Sequence, residues 1–180
     1  MNQRTGKGFT LIELMVTLAV AAILLTVGVP SFRATVENNR LTIAANELVS
    51  ALNLARSEAI KRGVRVTVCK SADGATCTTS GDWEKGWIVF TDIDNNAAYD
   101  SDTEMLLRTY EGVKGQVTLV GNTNVSDYVS YVASGRSALT GGGFQAGTIK
   151  VCDDRTGNVG KKVVLSSTGR LRVERNVTCP

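Results

Sequence analysis

The chain contains no histidine, and its four cysteines, at 69, 77, 152 and 179, never stand in C-x-x-C spacing. The first absence removes the base of the familiar Ser–His and Cys–His pairs, so hydrolysis by such a pair is excluded. The second removes the ligand spacing of a structural zinc site. Gly141-Gly142-Gly143 is not followed by the Lys and Ser/Thr that a P-loop requires, so no phosphate-cradling loop is present. No internal repeat or low-complexity block occurs. Charge is also missing from one long stretch: between residues 9 and 29 the only ionisable side chain is Glu13. These absences point away from an enzyme and away from a bound cofactor or metal, and towards assembly or binding.

The nearly uncharged stretch is 21 residues long, enough for one helix to cross the hydrocarbon core of a membrane. A carboxylate near the start of such a helix is costly, so Glu13 calls for a partner or a task. Arg4 and Lys7 precede the stretch and orient the N-terminus towards the cytoplasm. A secretory signal peptide would carry its small-residue cleavage site after the apolar run. Here the small residue, Gly8, comes before it, and Val27-Gly28-Val29-Pro30 makes a poor cleavage site. The segment G-F-T-L-I-E-L-M-V, with Gly8-Phe9 and Glu13, resembles the prepilin signature of type IV pilins and type II secretion pseudopilins. The resemblance implies that a prepilin peptidase removes a leader, residues 1–8, after Gly8. It also implies that Phe9 is N-methylated, and that Glu13 pairs with the amine of Phe9, usually on a neighbouring subunit.

Beyond the apolar run, Leu41, Ala44, Ala45, Leu48, Ala51, Leu52, Ala55 and Ala59 recur at helical spacing on one face. One helix is expected from residue 9 to about residue 62, with residues 9–29 in the membrane and 30–62 as an amphipathic continuation. Gly28 and Pro30 should disturb it, and Gly63 should stop it. Residues 63–180 turn to short strands. Candidates are 64–69, 86–91, 105–110, 117–119, 148–152, 162–165 and 170–173, separated by polar, turn-rich stretches. A helix followed by antiparallel strands implies an α+β head, with the helix covering one sheet face. Four cysteines beyond a membrane helix suit an oxidising compartment. Three pairings are possible; Cys69–Cys77 and Cys152–Cys179 are favoured, the first closing a short loop and the second tying the C-terminus to an earlier strand.

This order of features resembles the FimT/GspH group of minor pilins and pseudopilins. The stretches that carry the resemblance are N-E-L-V-S-A-L-N-L-A-R-S-E-A-I-K-R-G (46–63), G-D-W-E-K-G-W-I-V-F-T-D-I-D-N-N (81–96) and S-T-G-R-L-R-V (167–173). It implies a single-pass inner-membrane protein, N-terminus cytoplasmic and head periplasmic, which becomes extracellular once built into a pilus. Its implied partners are other pilin or minor pilin subunits, the prepilin peptidase and the inner membrane.

Two stretches hold candidate binding chemistry. Asp92, Asp94, Asn95, Asn96, Asp100, Asp102 and Glu104 cluster in one loop. The loop begins like a calcium site, D-x-D-x-N, but Ala97 stands where that motif needs Gly and Thr103 where it needs a bidentate acid. It reads instead as an Asx-rich hairpin loop. The second stretch is the basic tail, where residues 150–180 carry seven Lys and Arg against three acids. There, residues 163–165 and 170–173 flank a turn and form a hairpin. Strand alternation sets Arg170 and Arg172 on one face and Leu171 and Val173 on the other, towards the core. Such a pair suits two phosphates of one backbone. Lys161, Lys162 and Arg175 are near enough in sequence to extend the patch, whereas Glu174 is placed to neutralise Arg172. FimT-type minor pilins of naturally transformable bacteria are associated with a C-terminal GRxR motif that binds DNA. Gly169, Arg170 and Arg172 match it, so the resemblance implies DNA uptake in natural transformation. The alternatives are a structural minor pilin that primes pilus assembly, or a type II secretion pseudopilin of the GspH type.

Overall fold

The computed structural model describes residues 8–180; Arg4, Lys7 and the leader before Gly8 lie outside the described residues. The chain divides into two compact units, Met1–Asn38 and Asn39–Pro180. A single helix, α1 (Leu11–Arg62), contributes to both. It begins two residues later than the apolar pattern suggests, because Thr10 acts as its cap rather than its first member. It runs through Gly28 and Pro30 as one continuous element, as expected.

In the first unit every residue from Gly8 to Thr35 is exposed, including Leu11 at 76% and Leu24 at 66%. A contiguous apolar surface of this size is not left in water by a stable soluble domain. The helix is long and apolar enough to cross a membrane, and none of its apolar window is covered by the described residues.

In the second unit the eight positions of the apolar stripe, from Leu41 to Ala59, are all buried. Five of them are alanines, which let the helix backbone approach the sheets closely. The helix ends where expected: Gly63 has φ +69° and donates its N–H to the Ala59 carbonyl at 3.0 Å, a left-handed stop that glycine adopts without a Cβ penalty.

Eight strands follow, all paired antiparallel: β1 (Val66–Lys70), β2 (Gly86–Thr91), β3 (Leu106–Glu111), β4 (Thr118–Gly121), β5 (Tyr128–Tyr131), β6 (Gly147–Cys152), β7 (Gly157–Leu165) and β8 (Leu171–Cys179). They form two four-stranded sheets, ordered β3-β2-β1-β5 and β4-β6-β7-β8. One core joins the helix stripe to both sheets through Val66, Val68, Trp87, Val129, Leu119, Ile149, Val151 and Val163. Strands β1 and β2 are buried along their whole length, because their outer face is also covered. There Cys69, Ile88 and Phe90 pack beneath Cys77, Tyr99 and Tyr128.

Seven strands match the sequence pattern, with the last two much longer than expected. The eighth, β5, was not anticipated, although Tyr128-Val129-Ser130-Tyr131 is rich in strand formers. Both disulfides have the favoured pairing, Cys69–Cys77 with Cα atoms 5.6 Å apart and Cys152–Cys179 at 5.8 Å. One expectation is corrected. Val173 is not covered by the core but 39% exposed, since β8 is the edge strand and no further strand shields it.

Candidate functional site

At the N-terminal end, Gly8, Phe9 and Thr10 precede the first turn of α1 and are exposed, so the bond after Gly8 lies in non-helical chain. Thr10 and Glu13 form a reciprocal cap. The Thr10 N–H and hydroxyl both donate to Glu13 Oε2 at 3.0 Å, and the Glu13 N–H donates to Thr10 Oγ1 at 3.3 Å. This T-x-x-E arrangement satisfies donors that a helix start otherwise leaves open. Reading Glu13 only as a charge partner overlooked it, though the spacing was legible.

At the other end of the chain, the G-R-L-R segment is built on a tight turn between β7 and β8. The Gly169 N–H donates to the Ser166 carbonyl at 2.8 Å, and the Ser166 N–H to the Arg170 carbonyl at 3.0 Å. The Ser166 hydroxyl accepts the Arg170 N–H at 3.1 Å. Gly169 has φ +78° and packs against a neighbouring turn. A Cβ there would stand 2.4 Å from the Gly135 carbonyl oxygen and 3.1 Å from the Tyr131 ring. The Tyr131 hydroxyl nearby is fully buried and has no hydrogen-bond partner among the described residues, and burial pushes its phenol pKa far up. From the helix, Arg56 Nη2 reaches the Thr168 carbonyl at 3.4 Å.

Arg170 and Arg172 do come together. With Ser166, Thr168, Val164 and Leu171 they line a shallow open groove of about 410 Å³. Arg170 makes no ion pair among the described residues, whereas the Arg172 guanidinium sits 2.6 Å from Glu174 and stays 71% exposed. Glu174 also holds the Lys162 ammonium at 2.7 Å. Hydrogen bonds from Lys162 first, and then from Arg172, keep the Glu174 carboxyl below the usual carboxylate range.

The other expected basic residues separate. Register pairs Lys162 with Glu174 and Val164 with Arg172, so these four share one face of the sheet. Lys161 pairs with Arg175, and both therefore belong to the opposite face. Lys161 and Lys162 are adjacent in sequence, so the period of two already excluded a common face.

The acidic loop is compact. Asp92, Asp94 and Glu104 bring carboxylate oxygens within 4.8 Å of one another. Glu104, named in the cluster from sequence, stands one residue beyond the twelfth position of the calcium pattern, so the spacing did not single it out. Ala97 takes the left-handed conformation, φ +59°, that this pattern assigns to glycine. All six oxygens accept hydrogen bonds: Asp92 from Thr67 and the Asn96 N–H, Asp94 from Asn96, and Glu104 from the Ile93 and Asp100 N–H groups. Burial pushes the Glu104 carboxyl up, and the charges of Asp92 and Asp94 add to that shift.

Known proteins share this organisation. Residues 4–29 match the prokaryotic N-terminal methylation motif. The chain is 28% identical over 174 residues to a pilin-like protein of Thermus thermophilus, covering 94% of this chain and 99% of that protein. It is 40% identical over 63 residues to a fimbrial protein of Pseudomonas aeruginosa. That match covers 35% of this chain and spans only 40% of the fimbrial protein's length. The fold is that of the type IV minor pilin FimU of Pseudomonas aeruginosa, with TM-score 0.61 at 23% identity over 80% of this chain and 95% of FimU. It also matches the minor pseudopilin EpsH from the type II secretion system of Vibrio cholerae, with TM-score 0.51 at 12% identity over 78% of this chain and 99% of EpsH. A type II transport protein GspH model matches residues 44–169, well over half of the chain, and the chain belongs to the GspH family of minor pilins and pseudopilins.

Proposed function

We propose that this chain is a minor pilin of a type IV filament whose head binds the phosphate backbone of DNA at the turn between β7 and β8, for uptake in natural transformation. The observation that carries this reading is the shared groove: Arg170 and Arg172 line one open depression, and among the described residues no carboxylate forms an ion pair with Arg170. Ser166 and Thr168 add hydroxyls to the same groove. Guanidinium groups on a fixed turn suit adjacent phosphates, and contacts of this kind carry no base sequence information. In this reading a prepilin peptidase cleaves after Gly8, Phe9 is methylated, and Glu13 exchanges its Thr10 bonds for the Phe9 amine of a neighbouring subunit. The apolar helix holds the subunit in the inner membrane, with the head in the periplasm, until the filament carries it outside.

The test is a salt series of DNA binding by the full chain in detergent. Arg170→Ala with Arg172→Ala should lower affinity and reduce the slope of log affinity against log salt by about two, while the disulfides and melting temperature stay unchanged. Equal DNA retention by the double variant rejects the reading.

A second reading draws on the ion pairs of Glu174 with Arg172 and Lys162, which consume part of the patch's charge. On it the head serves subunit contacts alone, priming a pilus or acting as a secretion pseudopilin. Deleting the gene and scoring twitching, transformation and protein secretion separately distinguishes these; loss of secretion alone overturns the pilus reading.

A further inference from the structure

The head leaves one aromatic ring open. Within residues 39–180 the two tryptophans, Phe90 and the tyrosines are buried or half-buried, whereas Phe144 is 65% exposed. It follows Gly141-Gly142-Gly143, whose turn is closed by bonds from Gly142 N–H to the Leu139 carbonyl and from Leu139 N–H to the Gly143 carbonyl. Phe144 then pairs with Ala138 in an isolated bridge. The Arg136 guanidinium carbon lies 5.0 Å from the Phe144 ring centroid, within reach of the ring's negative face. Arg136 has no ion pair among the described residues.

This pair is borne by the same junction that holds the basic turn. Ser137, next to Arg136, is fully buried. Its hydroxyl lies 2.6 Å from the Gln145 carbonyl and 3.0 Å from the Ser166 carbonyl. The first contact fixes the residue after Phe144, and the second fixes the first residue of the turn that carries Arg170. Gly169 closes onto Gly135 and the Ser137 N–H from the same side. Arg56 fills the space below: its Nε would lie 3.4 Å from a Cβ on Gly135, and it donates to Thr168. The junction therefore joins the turn that carries Arg170 and Arg172 to the segment that carries Arg136 and Phe144, with Arg56 reaching the same turn from the helix. Glu174 is the only acid paired to any of these arginines among the described residues.

An arginine-backed aromatic beside a phosphate-binding groove has a specific use. Every nucleobase has a flat face that stacks on such a ring, but only when it is free of its own neighbours. In a duplex the faces are taken, and the ring has nothing to bind. We propose that Phe144 and Arg136 form a base-stacking station beside the Arg170–Arg172 groove, so that this chain holds single-stranded or frayed DNA more tightly than intact duplex. This rests on the reading that the groove takes DNA.

The test uses the full chain in detergent and two fluorescein-labelled probes, an oligothymidine of about twelve nucleotides and a blunt duplex of the same length, followed by anisotropy at one salt concentration. Phe144→Ala is expected to weaken oligothymidine binding by about five-fold or more and to change duplex binding by less than about two-fold. Phe144→Trp should restore the preference, and its added indole emission should be quenched by oligothymidine. Arg170→Ala with Arg172→Ala should weaken both probes. If Phe144→Ala leaves the oligothymidine affinity unchanged, or weakens both probes alike, the stacking station is overturned, while the groove stands as long as the arginine variant still weakens both. If the unaltered chain retains neither probe, both readings fall together.

Discussion

Glu174 holds the Arg172 guanidinium at 2.6 Å and the Lys162 ammonium at 2.7 Å from its two carboxylate oxygens. One acid therefore restrains two of the cations that could meet a phosphate. Glu174→Gln removes that charge and keeps the side-chain volume. The expected result is a few-fold rise in DNA affinity and a steeper salt dependence, because freed cations release more counterions on binding. Stability should change little, since exposed ion pairs contribute little. An unchanged salt slope in a titration of the variant would show that Glu174 does not restrain the patch.

The pH dependence of the same patch follows from its inventory. No histidine is present, and the Glu174 carboxyl titrates below its ordinary range. Its depressed folded-state value means that its contribution to stability is fully present above the unfolded value. That contribution is lost as pH falls through the lower folded value. The patch keeps the same charge from about pH 5.5 to 8, so DNA affinity should be flat there. It should rise only in acid, once Glu174 takes up a proton. Anisotropy across that range checks it, and a transition near pH 6.5 would require a titrating group outside this patch.

Gly169→Ala is expected to unfold the turn rather than merely weaken binding. The substitution places a methyl group against the Gly135 carbonyl oxygen while demanding a left-handed backbone at φ +78°. The two penalties act together, and a loss of about 2 kcal/mol or more in urea denaturation is expected. A loss under about 0.5 kcal/mol would mean that the two turns separate easily.

The disulfide Cys152–Cys179 closes a loop of sequence separation 27, for which chain entropy predicts a contribution of about 3–4 kcal/mol. Gly160 is packed beneath it, where a Cβ would meet Cys179 Sγ. Replacing both cysteines by serine should lower the urea midpoint accordingly. DNA binding by the folded fraction should persist, because the opposite end of β8 is held independently at Gly169 and Ser137. Parallel loss of both properties would show that the ribbon behaves as one unit.

Much of this fold was legible in the sequence where a period or a pairing rule applied. The helix stripe from Leu41 to Ala59 and the stop at Gly63 follow from spacing, whereas the cysteine pairing was one favoured choice among three, which the structure bears out. The strand β5 was missed because its signal is only four residues long and sits between polar turns. The site was legible in part. Arg170 and Arg172 could be placed together by alternation, and the same rule would have separated Lys161 and Arg175 from them. Arg56, Arg136 and Phe144 were out of reach, because only tertiary packing brings them near the basic turn, Arg56 through Thr168 and the Arg136–Phe144 segment through Ser137. Val173 shows the limit of alternation itself: it turns a side chain towards a face but does not say whether that face is covered at the sheet's edge.

The glycine of the G-R-L-R segment is held by a steric demand of the backbone, and its two arginines are not. A related chain that binds nothing would still have to keep the first letter if it keeps the contact between these two turns. Retention of that glycine among relatives is therefore a record of architecture, and only the arginines can report on a ligand. A survey that scores the segment as a single word will count folding as evidence for binding.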